Sequence, residues 1–112
     1  MSSMFELSEG GIGVMPDPAD NPDNHVIPHH DAGTQISFEV CNVGDAGGNC
    51  KVGVEVDDIF VTEWESQFLD PGQCGTGFAS LGRLSEGRHA VLIFVNPGSG
   101  HADHQTNTFN VE

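Results

Sequence analysis

The chain has 112 residues, the size of one domain with one core, and its 17 acidic side chains face only Lys51, Arg83 and Arg88 for a formal charge of -14. A surface of that sign repels phosphate backbones and anionic lipid, and no basic stripe with interleaved aromatics offsets the repulsion, which excludes nucleic acid as a partner. No run approaches the roughly 18 consecutive apolar residues that a membrane helix needs, which excludes insertion by a helix.

Residues 1–33 read as an irregular N-terminal arm. Met1 to Glu6 has neither a basic region nor an apolar one, so no secretory signal is expected. An apolar patch at Ile12, Val14 and Met15 leads into Pro16-Asp17-Pro18-Ala19-Asp20-Asn21-Pro22-Asp23-Asn24, which is turn chemistry that no helix survives. Val26-Ile27 before Pro28 is placed as a short edge strand, where a missing N–H does little harm.

From Thr34 the period becomes two. Ile36, Phe38 and Val40 point one way, and Gln35, Ser37, Glu39 and Cys41 the other. Asn42 to Asn49 supplies residues that tolerate positive φ, and a second alternating run then sets Val52, Val54 and Val56 against Lys51, Gly53, Glu55 and Asp57. Ile59 to Phe68 is the next strand; its inward phase is either Ile59/Val61 or, as favoured here, Phe60/Trp64/Phe68. Asp70-Pro71-Gly72 has the residues of a type II turn, and Gln73 to Leu81 forms the strand after it. Arg88 to Val95 is almost continuously apolar and belongs at the centre of its sheet. Asn96-Pro97-Gly98-Ser99-Gly100 turns the chain back, and His104 to Val111 closes the sheet. Short strands at these intervals, with no helical period, specify an all-β sandwich or small barrel over residues 34–112.

The turns sharpen that class. Val40-Cys41-Asn42-Val43-Gly44 is similar to a valine-x-asparagine-x-glycine motif, and Leu69-Asp70-Pro71-Gly72-Gln73 to leucine-x-proline-glycine-glutamine. Gly87-Arg88-His89 stands where a glycine-x-tyrosine is usual, and Asn96-Pro97 and Asn107-Thr108 where aspartate-proline and asparagine-asparagine-threonine are usual. In this order, from residue 34 to 111, they resemble the cell adhesion related domain found in bacteria. The resemblance implies an immunoglobulin-like β-sandwich, related to fibronectin III, of about seven antiparallel strands following the irregular arm. It also implies a non-catalytic spacer, adhesion unit or carbohydrate-associated appendage of a surface protein.

The candidate sites are few. His25, His29 and His30 form one histidine cluster and His101 with His104 another. Imidazole nitrogens bind zinc, but exposed loop histidine is the plainer expectation for both, so no metal or cofactor is assigned to His29, His30, His101 or His104. Asp17, Asp20 and Asp23 lack the spacing of a calcium loop and read as a solvated acidic segment. Of the three cysteines, Cys41 and Cys50 flank one Gly-rich loop and are the expected disulfide pair, with reduced thiols as the alternative. Cys74 or Cys41 with His89 has no local oxyanion hole or orienting group, and Glu63 with Glu65 proves nothing about glycoside chemistry, so no enzyme is expected.

Function is therefore expected to be structural: a surface or decoration subunit of a larger particle such as a virus capsid or tail. Its partners would be other protein subunits, met through the arm and the strand edges. It would be cytoplasmic before assembly, then on a virion or an extracellular surface. An adhesion or carbohydrate- or protein-binding module of a cell-surface protein is the alternative, and an intracellular scaffold the next. A large carboxylate excess with a single Lys also suits work in concentrated salt, where screening removes the self-repulsion.

Overall fold

Alternation along residues 33–42 dictates the longest ladder of the protein. The computed structural model describes residues 3–95 and 103–112. Its strands are β1 (Phe5–Leu7), β2 (Gly13–Pro16), β3 (Gly33–Asn42), β4 (Lys51–Val56), β5 (Ile59–Glu65), β6 (Cys74–Arg83), β7 (Gly87–Val95) and β8 (His104–Val111). Among the described residues there is no helix, and so none long and apolar enough to cross a membrane. β6 runs antiparallel along one edge of β3 from Gly33 to Cys41. The other edge is shared, with β2 opposite Thr34–Ser37 and β1 opposite Val40–Asn42. The second sheet has the order β5-β4-β7-β8, antiparallel throughout. Eight strands thus fill seven positions in two facing sheets.

The core lies between them. Ile36, Phe38 and Val40 of β3 meet Val52, Val54 and Val56 of β4 and Val91, Ile93 and Val95 of β7, all buried as the alternation requires. Each such side chain stabilises the fold by about 1.5–3 kcal/mol relative to exposure. β7 is interior to its sheet, as its apolar run predicts. The Asp70-Pro71-Gly72 turn also has the expected form: Gly72 takes φ +86° and the Gln73 N–H donates to the Asp70 carbonyl at 2.9 Å. Asn42 explains why its motif and this turn go together. Fully buried, it donates from Nδ2 to the carbonyls of Ala46 and Leu69, both at 2.9 Å, and accepts at Oδ1 from the amides of Met4 and Gly44. Its backbone pairs with Gly72 and Gln73. A buried side chain with every polar atom satisfied fixes the strand end and the turn to each other.

Four expectations need correction. The N-terminal segment is not an arm outside the sandwich: β1 and β2 belong to the first sheet, and Phe5, Leu7 and Ile12 are core residues. These strands have three and four residues, too few to display a period of two. Val26 and Ile27 form a bend, with Val26 90% exposed. There the Asn21 side chain closes a turn by accepting from the His25 N–H at 2.8 Å and donating to the His25 carbonyl at 2.9 Å.

The disulfide joins Cys41 to Cys74, not to Cys50. Val40 and Asn42 point inward, so Cys41 points out of β3, directly opposite Cys74 in β6. Cys50 points into the core just before β4, on the far side of that sheet, and burial pushes its thiol up to about 12. Finally, β5 ends at Glu65 and its phase is mixed. Val54 faces Thr62 while Glu55 faces Phe60, so Val61 is an extra, bulged residue. Trp64 is turned inward, but Phe60 and Phe68 are exposed.

Candidate functional site

The two long sides of the sandwich differ. On one, β8 is stitched to the N-terminal segment: Gln105 Nε2 donates to the Ser8 carbonyl at 2.7 Å, Asn107 Nδ2 to the Ile12 carbonyl at 3.0 Å, and the Leu7 N–H to Asp103 Oδ2 at 2.8 Å. On the other, β5 and β6 face each other without such stitching among the described residues, and a cleft of about 360 Å³ opens between Trp64, Glu65, Gln67, Leu69, Gly75 and Thr76. Trp64 forms its inner wall. The indole packs edge-on against Phe38, with centroids 5.2 Å apart and planes at 87°. Both rings occupy the space above Gly77, where a Cβ would collide with them. Phe38 faces Gly77 in the β3–β6 register, so this glycine admits the aromatic pair.

Strand β6 itself presents an edge. It pairs with β3 on one side, has no strand beside it on the other among the described residues, and carries neither charge nor proline from Cys74 to Gly82. Edges are usually blunted by such residues. Of the nine exposed large apolar residues among the described residues, five, Ile59, Phe60, Val61, Phe68 and Phe78, lie on β5, β6 or the link between them. Periodicity placed Trp64 inward and drew both strands, but which edges stay unpaired depends on topology, which the sequence pattern does not state.

The candidate residues drawn from the sequence are otherwise engaged or dispersed. Asp17 is buried and accepts from the Ser80 hydroxyl at 2.8 Å and from the Ala19 N–H, while Asp20 makes a two-pronged pair with Arg83 at 2.8 and 2.9 Å. The guanidinium holds the Asp20 carboxyl below its ordinary value. These aspartates do not converge on one ion. Glu63 and Glu65 each lie 4.0 Å from Lys51. Cys41 and Cys74 are bonded to each other and so are not nucleophiles.

His89 sits on β7 in the other sheet. It donates from Nδ1 to Asp57 Oδ2 at 2.6 Å and from Nε2 to the Ser85 carbonyl at 2.7 Å. Its pKa is raised by the Asp57 hydrogen bond. Asp57 is lowered, first by the Ala90 N–H and then by His89.

His30 and His104 are far apart. His30 lies beside Glu112, whereas His104 faces Phe94 at the other end of β8, roughly 23 Å away at strand rise. His101 and the Asn96–Gly100 turn lie outside the described residues. His25, His29 and His30 do come together: His25 stacks on His29 at 3.7 Å and His29 on His30 at 4.5 Å. Asp31, which the sequence reading passed over, completes this group.

These features define an immunoglobulin-like β-sandwich with one open side. No family model matches the chain, and no curated protein matches it. Solved structures do. A β-glucosidase from Erythrobacter marinus superposes with a TM-score of 0.67 at 14% identity, over 98% of this chain and 16% of the enzyme. The β-D-glucoside glucohydrolase of Trichoderma reesei gives 0.65 at 15% identity, over 98% of this chain and 19% of the enzyme. β-Glucosidase 3B of Thermotoga neapolitana gives 0.59 at 12% identity, over 96% of this chain and 16% of the enzyme. At such identities the likeness is one of fold, and this chain spans less than a fifth of each enzyme's length.

Proposed function

We propose that the chain is a non-catalytic interaction module that docks other protein subunits through its open side, as a surface or decoration subunit of a larger particle does. The unpaired edge of β6, uncharged from Cys74 to Gly82, carries this proposal. Such an edge accepts an added strand through backbone hydrogen bonds, and neighbouring pockets then select its side chains. The Trp64 cleft and the exposed Phe78 ring lie where that selection would act.

Light scattering after size-exclusion, at low and at molar salt, tests it. The wild-type chain is expected to associate with itself, and Thr76→Lys/Phe78→Lys to be monomeric with an unchanged circular dichroism spectrum, because lysines on an edge oppose pairing. A strictly monomeric wild-type chain in both salts would count against the particle subunit. It would favour a second reading, an appended module of a larger surface protein. The match of nearly the whole chain to a minor part of much longer glycosidases supports that second reading.

A further inference from the structure

Away from the open side, the loop that carries His29 and His30 is held to the end of β8. The His30 N–H donates to the Glu112 carbonyl at 2.7 Å, and the Glu112 N–H to the Pro28 carbonyl at 3.0 Å. His30 Nδ1 lies 2.8 Å from the same Glu112 carbonyl. A carbonyl only accepts, so Nδ1 carries the proton and Nε2 of the neutral ring is a lone pair. That lone pair faces Asp31 Oδ1 at 3.3 Å. On the other flank His29 Nδ1 accepts from the Asp31 N–H at 3.0 Å, which marks it too as the unprotonated nitrogen, and it lies 3.9 Å from Asp31 Oδ2. One carboxylate is therefore set against two imidazole lone pairs, and one ligand atom from each of the three residues lies within 4.8 Å of the others. The two lone pairs and the carboxylate thus point toward one shared space, as the ligands of a single cation do.

We propose that His29, His30 and Asp31 bind one divalent transition-metal ion of the zinc class. Two imidazoles and a carboxylate suit such an ion, whereas calcium and magnesium favour sites built of oxygen alone. Zinc bonds of about 2.0–2.1 Å hold tetrahedral ligands about 3.4 Å apart, so the site closes by about an ångström on binding. Rotation of the exposed His30 and Asp31 side chains supplies that movement, and the ion replaces the Asp31 N–H on His29. The Glu112 carbonyl on His30 is the outer partner that fixes a metal-bound imidazole in one tautomer. His25 backs His29 with its plane tilted by only 7°, and the loop sits in a strongly acidic molecule that concentrates cations. The bound ion would clamp residues 28–31 to the C-terminal strand.

Titration of the full, metal-free chain with zinc chloride, followed by calorimetry and melting temperature, tests the site. One ion per chain, a raised melting temperature, tetrahedral absorption bands with cobalt, and no response to magnesium or calcium chloride are expected. His29→Gln, His30→Gln and Asp31→Asn should each weaken zinc at least about tenfold with unchanged circular dichroism, and His104→Gln should leave zinc binding intact. Absence of zinc heat would overturn the proposal. So would equal zinc affinity in wild type, His30→Gln and Asp31→Asn, which would place the ion elsewhere.

Discussion

His89 uses both ring nitrogens as donors, so the ring is an imidazolium held between the Asp57 carboxylate and the Ser85 carbonyl, with Phe109 beside it at 6.1 Å. Asp57 sits in left-handed backbone at φ 51°, donates its N–H to the Ala90 carbonyl and accepts the Ala90 N–H at Oδ1, which ties the β4–β5 turn to β7. The linkage follows from the directions of the two shifts. His89 is raised, so its contribution is complete below the ordinary histidine value of 6.5 and is lost as pH rises through its higher folded value. Asp57 is lowered, so its contribution is present above 3.8 and lost as pH falls through its lower folded value. The pair therefore stabilises most between about pH 4 and 6.5. Urea unfolding should show stability falling by about 0.5–1 kcal/mol from pH 6 to 8, and His89→Gln should flatten that fall. An unchanged slope in the variant would assign it to other groups.

At the scale of elements, β1 separates an appended arm from an integral strand. Phe5 is 1% exposed, in contact with the main core, so Phe5→Ala should cost about 3–5 kcal/mol in urea unfolding. A dispensable arm would lose less than about 0.5 kcal/mol. How legible each element is from sequence depends on its length and on what holds it. β3, β4, β6, β7 and β8 each run long enough for alternation or apolar continuity to reveal them. β1 and β2 owe their existence to the free edge of β3, a non-local partner, so no local pattern announces them. In β5, the bulge at Val61 turns residues on either side of it to different faces, and this is why two inward phases compete in the sequence. The cysteines misled for a related reason. Proximity in sequence joins Cys41 to Cys50 across a loop, but the β3–β6 register brings Cys41 opposite Cys74. Of the candidate site, Trp64 and the histidines were visible as residues; the unpaired edge comes from pairings across the chain, whereas Asp31 follows His30 directly and the backbone of its loop turns its carboxylate toward the two imidazoles.

For the whole molecule, the surplus of negative charge is the dominant long-range force. Arg83 is paired with Asp20, Lys51 lies between Glu63 and Glu65, and Arg88 donates to Thr108 at 3.2 Å. With 17 carboxylates against three such cations, the negative charge far exceeds the positive. Folding gathers them, so repulsion is greater in the sandwich than in the extended chain. The screening length shrinks from about 30 Å at 0.01 M salt to about 3 Å at 1 M, below the spacing of neighbouring surface carboxylates. Raising sodium chloride over that range should therefore raise the melting temperature by at least about 4 °C, the equivalent of roughly 1 kcal/mol for a domain of this size. Protonating the carboxylates near pH 4 should shrink the effect, which separates charge screening from a general salting of apolar surface. A melting temperature that is flat or falls from 0.01 to 1 M salt at neutral pH would show that self-repulsion is not what limits this fold, and would remove the physical reason for placing the protein in concentrated salt.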